Sequence, residues 1–235
     1  PEIVDVHSML ELLEDLGKNV EKIDKNHYAI SGSVNKNKLD DVLAKKLRAS
    51  ILFLSGLVAK QGEIEMPPPG GCVIGRRKVD THFQVVKHFA GQVAILDNGN
   101  YLAKLDNPEP GKLFLDEVSV TGTENALILA AAVPGKSTIY NAACEPHVAD
   151  LANFLVKMGA EIEGIGTNRL TIQGSEKLLG TSHKIVPDHI EAGTFAIAAA
   201  CSNGDLIIHD AVKKDLKSTM RMMDGFNVNY EFKDD

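Results

Sequence analysis

Residues 146–174 read PHVADLANFLVKMGAEIEGIGTNRLTIQG, and their order of elements decides the fold. A helix from Asp150 ends at Gly159, the alternating stretch Ile162-Glu163-Gly164-Ile165 follows, and Leu170-Thr171-Ile172 leads into Gly174. The same order stands at the start of the chain. Asp5 to Leu16 has helical apolar spacing and breaks at Gly17. Val20-Glu21-Lys22-Ile23, a turn at Asp24-Lys25-Asn26, and Tyr28-Ala29-Ile30 then lead to Gly32. In both copies fifteen positions separate the two glycines. A helix, a glycine and a hairpin are common together. Matched spacing over two whole elements makes them a repeat.

A looser copy runs from a helix, Phe83 to Phe89, through Gly91 to Val93-Ala94-Ile95 and Tyr101-Leu102-Ala103. A fourth begins at Asp215, passes Gly225 and predicts a strand at Val228-Asn229-Tyr230. The marker glycines lie roughly seventy residues apart, longer than the usual solenoid periods. The expectation is therefore a few compact α/β units around a shared core. The copy at Pro146 is preceded by an apolar helix, Ala126 to Val133, and a strand, Ser137 to Tyr140; the copy at Pro1 has neither. Both ends read as cut, as in a piece of a longer polypeptide. Two more apolar helices are expected, Ala44 to Lys60 and Ile190 to Cys201, with a boundary at Pro187-Asp188.

Composition narrows the partners. With 44% hydrophobic and 24% charged residues the chain has the make-up of a soluble globular protein, and its net charge of −7 disfavours nucleic acid. The sequence has no apolar run of membrane-spanning length, and its first residues lack the pattern of a secretory signal. The three cysteines, Cys72, Cys144 and Cys201, are far apart, which argues for a reducing compartment and the cytoplasm. The eight histidines show no HExxH or HxxxH spacing, and GxGxxG, P-loop and GxSxG motifs are missing. No metal or other cofactor is expected.

The least ordinary segment is PPPGGCVIGRRKVDTH, residues 67–82. Its prolines stiffen the entry, and Gly70, Gly71 and Gly75 let backbone approach a ligand. Arg76, Arg77 and Lys78 place positive charge at a helix start that Asp80 or Thr81 would cap. Guanidinium groups beside Cys72 favour its thiolate, and a bound phosphate would help return a proton to sulfur. A second loop, Asp116 to Thr123, offers the hydroxyls of Ser119, Thr121 and Thr123 at another helix start, where a pyrophosphate could sit. Arg48, inside an apolar helix, is open to two readings, a snorkelling surface residue or a ligand contact.

Taken together, these segments resemble the UDP-N-acetylglucosamine 1-carboxyvinyltransferase (enolpyruvyltransferase) family. The resemblance is carried by Leu47-Arg48-Ala49-Ser50, by residues 69–77 and 79–82, and by Val118-Ser119-Val120. It continues through residues 145–150, 164–168 and 187–193, in order over nearly the whole chain. It implies an inverted α/β barrel of βαβαββ-type repeats, in two similar domains with the active site between them. Residues 1–186 would hold most of the first domain, and 187–235 the opening repeat of the second. It also implies transfer of the enolpyruvyl group of phosphoenolpyruvate to the 3-hydroxyl of UDP-N-acetylglucosamine, with release of phosphate, as the first committed step of peptidoglycan synthesis. Cys72 stands at the family position of the proton donor and of fosfomycin alkylation, and Arg77 at that of the phosphate clamp. Arg48 and the stretch Arg77, Lys78, Val79, Asp80 and Thr81 match nucleotide-sugar contacts. Glu117, Val118, Ser119 and Val120 match the lining of the nucleotide phosphates. Many members have proline where this chain has Lys78. The family's N-terminal Lys-Asn pair, its base for the sugar hydroxyl and further arginines fall outside these residues. The resemblance therefore predicts little or no turnover by this stretch alone, and the remainder of the polypeptide is an expected partner. A non-catalytic fragment of the same fold and a 3-phosphoshikimate 1-carboxyvinyltransferase are the rivals; the Gly-Gly-Cys loop argues against the second.

Overall fold

The computed structural model describes residues 1–71 and 78–233. The expectations placed on Cys72, Arg76 and Arg77 lie outside the described residues. The first unit is α1 (Val4–Asp15) followed by the hairpin β1 (Asn19–Asp24) and β2 (His27–Ser31), turned through Asn26 at φ 63°. The second holds α2 (Asp41–Ala44), a 3₁₀ turn (Arg48–Leu52), α3 (Phe53–Gln61), β3 (Glu63–Met66), α4 (Asp80–His88), β4 (Gly91–Ile95) and β5 (Tyr101–Leu105). The third runs β6 (Lys112–Phe114), α5 (Val120–Ala132), β7 (Gly135–Tyr140), α6 (Pro146–Lys157), β8 (Glu161–Glu163) and β9 (Arg169–Gly174).

In the third unit the strand order is β6-β7-β9-β8. β6 and β7 are parallel, joined by the α5 crossover, and the other pairings are antiparallel. The second unit repeats this plan. Its sheet is ordered β3-β5-β4, and Lys38 bridges Glu65 in parallel, so the chain at Asn37 to Leu39 occupies the place of β6. The first unit has the β1-β2 hairpin alone.

The expected repeat is thus real, and its markers have a physical reason. Gly17 and Gly159 follow their helices at φ 100° and 110°, backbone that an L side chain rarely adopts. In the second unit Ala90 takes that position at φ 63°, one residue before Gly91, and this displaced marker makes that copy the looser one.

α5 is apolar on all sides and packs in the interior; Gly122 to Leu127 and Leu129 to Ala131 are buried. α3 lies against it, with Phe53, Leu54, Leu57 and Val58 buried. The outer helices α4 and α6 bury one face each, Val85 and Val86 on α4, Val148 and Leu155 on α6. Buried helices lie at the centre and sheets toward solvent, the inverted α/β arrangement that the resemblance implies.

Several expectations are corrected. Ala44 to Lys60 is not one helix. Leu47 is extended (φ −144°, ψ 151°), and Arg48 opens the 3₁₀ turn rather than lying inside a helix. Gly164 and Gly166 have φ 80°, so β8 ends at Glu163 instead of running on through Ile165. The strand expected at Val228 to Tyr230 does not form, and no strand occurs among the described residues after Gly174. A strand needs a neighbour to receive its ladder, and nothing in this part of the chain supplies one. The chain continues instead into α7 (His189–Ser202) and, beyond a 3₁₀ turn (Lys213–Asp215), α8 (Lys217–Gly225).

Candidate active site

The described residues on either side of Cys72 lie against Lys45 and Arg48. On the entry side a Cβ on Gly70 would lie 1.6 Å from Lys45 O, and one on Gly71 would lie 3.0 Å from Arg48 N. Backbone therefore packs on backbone, which glycine allows at Gly70 and a side chain would forbid. On the exit side Arg48 Nη2 donates to Lys78 O at 2.9 Å. The two glycines lie against the chain where the helix is interrupted, at Lys45 to Arg48. The half-buried Arg48 joins the start of the loop to the start of α4.

Neither Asp80 nor Thr81 caps α4. Val79 holds the cap position without a side-chain hydrogen bond, and Asp80 is the first helical residue. Thr81 Oγ1 donates instead to Glu117 Oε1 at 3.2 Å, in the loop before α5. Two further braces run between the same segments. His82 Nε2 and Thr121 Oγ1 share a hydrogen bond of 2.8 Å, and Gln84 Nε2 donates to Phe114 O at 3.0 Å. Ser119 caps α5, accepting from Gly122 N–H at 3.1 Å. Asn125 then stitches α5 to its neighbours, accepting from Ser55 N–H at 3.1 Å and donating to Ile51 O at 3.3 Å. The candidates at Lys78 to Thr81 and at Glu117 to Val120 are thus held as one surface.

Within that surface the side chains divide. Lys78, Asp80, Glu117 and Val118 are exposed, and Lys78 Nζ stands 3.9 Å from Asp80 Oδ2. Val79 and Thr81 are buried, so what they can offer a ligand is backbone. The first N–H groups of α4, uncapped by any side chain, and those of α5 carry the partial positive charge of a helix start. A cavity of about 540 Å³ on the outer flank of α4 shares Asp80 with this surface and is otherwise walled by Phe83, Gln84, Lys87, His88, Leu113 and Phe114.

Two groups here escaped sequence reasoning. His82 is 2% exposed, and burial first, then the Arg48 guanidinium, push it down to about 4, so it is neutral near pH 7. Glu124 is 9% exposed, and burial first, then the Glu145 carboxylate, push it up to about 7. The signal for Glu124 and Asn125 was a polar pair inside an alanine- and leucine-rich helix. Among the described residues no group of three or more His, Cys, Asp or Glu could hold a metal ion, and no helix is long and apolar enough to cross a membrane.

Three comparisons place this architecture. The enolpyruvyl transferase NikO of Streptomyces tendae superposes with a TM-score of 0.84, covering 100% of this chain and 57% of that one at 20% identity. EPSP synthase of Acinetobacter baumannii gives a TM-score of 0.62 over 83% of this chain and 45% of the other, at 18% identity. The fold is therefore that of the enolpyruvyl transferases.

Residues 1–230 match the model of the EPSP synthase (3-phosphoshikimate 1-carboxyvinyltransferase) family, and the chain belongs to that family. Among its curated relatives are UDP-N-acetylglucosamine 1-carboxyvinyltransferases. That of Treponema denticola is 46% identical over 92% of this chain, and that of Bradyrhizobium diazoefficiens 43% identical over 93%. The chain spans about half the length of each, 51% and 50%.

Proposed function

We propose that this chain carries the reactive-loop half of a UDP-N-acetylglucosamine 1-carboxyvinyltransferase. Its reaction joins phosphoenolpyruvate to the sugar 3-hydroxyl, in the first committed step toward peptidoglycan. The observation that supports the reading most is the placement of Arg48, bonded to Lys78 O and close against Gly71, so that the residues on either side of Cys72 meet beside two helix starts. The relatives at 40–46% identity favour the nucleotide sugar over shikimate 3-phosphate as acceptor.

In this reading the Cys72 thiol gives its proton to the methylene carbon of phosphoenolpyruvate while the sugar 3-hydroxyl oxygen bonds to C2. The proton of that hydroxyl passes to a base supplied by the rest of the polypeptide. The resulting tetrahedral adduct then loses a proton from its methyl group and expels phosphate, which restores the enol ether. Arg77 clamps the phosphate; bidentate geometry is the reason for Arg there. Arg48 and Lys78 to Thr81 meet the nucleotide sugar, Val79 and Thr81 through backbone, and Glu117 to Val120 line its phosphates. Residues 1–186 make up most of the first domain, 187–235 open the second, and the protein works in the cytoplasm, where phosphoenolpyruvate is made.

Phosphate release from phosphoenolpyruvate, measured on the full-length polypeptide with each acceptor in turn, tests this. Release should require UDP-N-acetylglucosamine. Release with shikimate 3-phosphate instead would overturn the assignment.

A further inference from the structure

Between β9 and α7, residues 175–188 form neither helix nor strand, yet they are tightly held. The segment is a strap laid along α6, from that helix's last turn back toward its first. Ser175 N–H donates to Ala131 O at 2.9 Å, and Leu179 N–H to Met158 O at 2.8 Å. Leu178 packs on the main core. Further on, the His183 ring lies 5.3 Å from that of Phe154, and its Nε2 meets Asp150 Oδ1 at 2.8 Å. The second carboxylate oxygen of Asp150 accepts from Val186 N–H at 3.4 Å. Both side chains of this pair are nearly sealed, at 8% and 9% exposure.

Past Val186 the grip on the body changes. Pro187 has no N–H to give, and Asp188 turns to its own helix, accepting from Ile190 and Glu191 N–H. α7 buries Gly193 alone, where a Cβ would lie 2.9 Å from Thr219 Oγ1 of α8. α7 and α8 meet at that point, while Ile190 and Phe195 stay exposed. The stacked rings of His147 and His189, 5.8 Å apart, bring the first turns of α6 and α7 together without a hydrogen bond between them.

A sealed carboxylate is costly unless its partners are well placed, and such pairs contribute more to where a segment sits than to net stability. Here one carboxylate holds two points of a connector that has no ladder or helix of its own. We propose that Asp150 is a latch. It makes residues 180–186 a rigid extension of the repeat body and so sets the pivot at Pro187-Asp188, at the entry to α7. Releasing it returns the pivot toward Leu179, where the bond to Met158 O still holds, and lengthens the slack chain. The latch does not depend on the enolpyruvyl reading, and either can fail without the other.

Cys144, at the start of α6, and Cys201, near the end of α7, are both exposed thiols and natural sites for spin labels. In a Cys72→Ser chain, the width of the double electron–electron resonance distance distribution between them reads the motion of α7 about the pivot. Asp150→Ala should broaden that distribution, and Asp150→Asn, which keeps one oxygen, should fall between. Trypsin adds a local readout, because Lys184 lies in the strap and Lys214 beyond it. Cleavage after Lys184 should quicken at least tenfold in Asp150→Ala, with Lys214 unchanged. An unchanged distribution in the variant, or an equal rise at both lysines, would overturn the latch. If Asp150→Ala does not fold, Asp150→Asn carries the test with the same direction.

Discussion

Glu124 and His82 make opposite demands on pH. The folded chain holds Glu124 protonated up to about 7, whereas an ordinary glutamate releases its proton near 4.5. Its contribution is greatest below that lower value and is lost as pH rises toward 7. His82 is lowered from 6.5 to about 4, so its contribution is present above 6.5 and is lost as pH falls. Glu124→Gln should therefore stabilise the protein at pH 8 relative to pH 5. The gain should reach roughly 3 kcal/mol, since each pH unit between 4.5 and about 7 is worth about 1.4 kcal/mol. Thermal melts of parent and variant at both values check it; equal differences would show that Glu124 is ionised in the fold at pH 5. At the same scale, exposure alone does not explain a selective thiol. Cys144 and Cys201 are both exposed, and burial, then Glu145, push the Cys144 thiol up. Fosfomycin should therefore modify Cys72 and spare these two, because a guanidinium neighbourhood favours thiolate. Peptide mapping of the labelled full-length protein reads this directly, and label on Cys144 with Cys72 free would remove the basic-loop argument.

Among the elements, the two glycines of the loop and the glycine of α3 separate close approach from helix propensity. Gly70→Ala drives a methyl group into Lys45 O and should cost about 2–4 kcal/mol, since neither backbone can yield without losing the Arg48 anchor. Gly56→Ala puts its methyl at 3.9 Å from Ile128 Cγ2, an ordinary contact, and should stabilise by roughly 0.5–1 kcal/mol through helix propensity. Urea titrations of both variants check the signs. The same contrast explains how much of the fold was legible in the sequence. The hairpins β1-β2 and β8-β9 were readable because alternation, a turn and a helix-ending glycine are all local signals. The break at Leu47 was not, because the segment packed against it, Gly70-Gly71, lies far off along the chain. The cap of α4 was misread for a similar reason. Thr81 has the right chemistry for a cap, but its hydroxyl is taken by Glu117, a partner that only the tertiary fold supplies. In the candidate site, loop composition pointed to Cys72 and Arg77, which lie outside the described residues, and to two helix starts, which the structure brings together. The role of Arg48 stayed open until Lys78 O was seen as its acceptor.

Across the whole molecule, stability is distributed as the repeats are. The second and third units share one strand plan, and α5 sits between them with nine buried residues. In α7 Gly193 alone is buried, although the helix is as apolar as α5; Phe195, Ile207 and Phe226 in this last stretch are exposed. Burial of apolar surface is the main favourable term in folding, so equal hydrophobicity with unequal burial gives unequal local stability. Amides of residues 190–202 should therefore exchange with deuterium at least a hundredfold faster than those of 123–131, through an opening that leaves the repeat body folded. Hydrogen-exchange mass spectrometry on this chain measures both in one experiment. Equal protection of the two helices would mean that α7 draws its stability from the same cooperative core as α5, and the uneven burial along the chain would then be a poor guide to this fold.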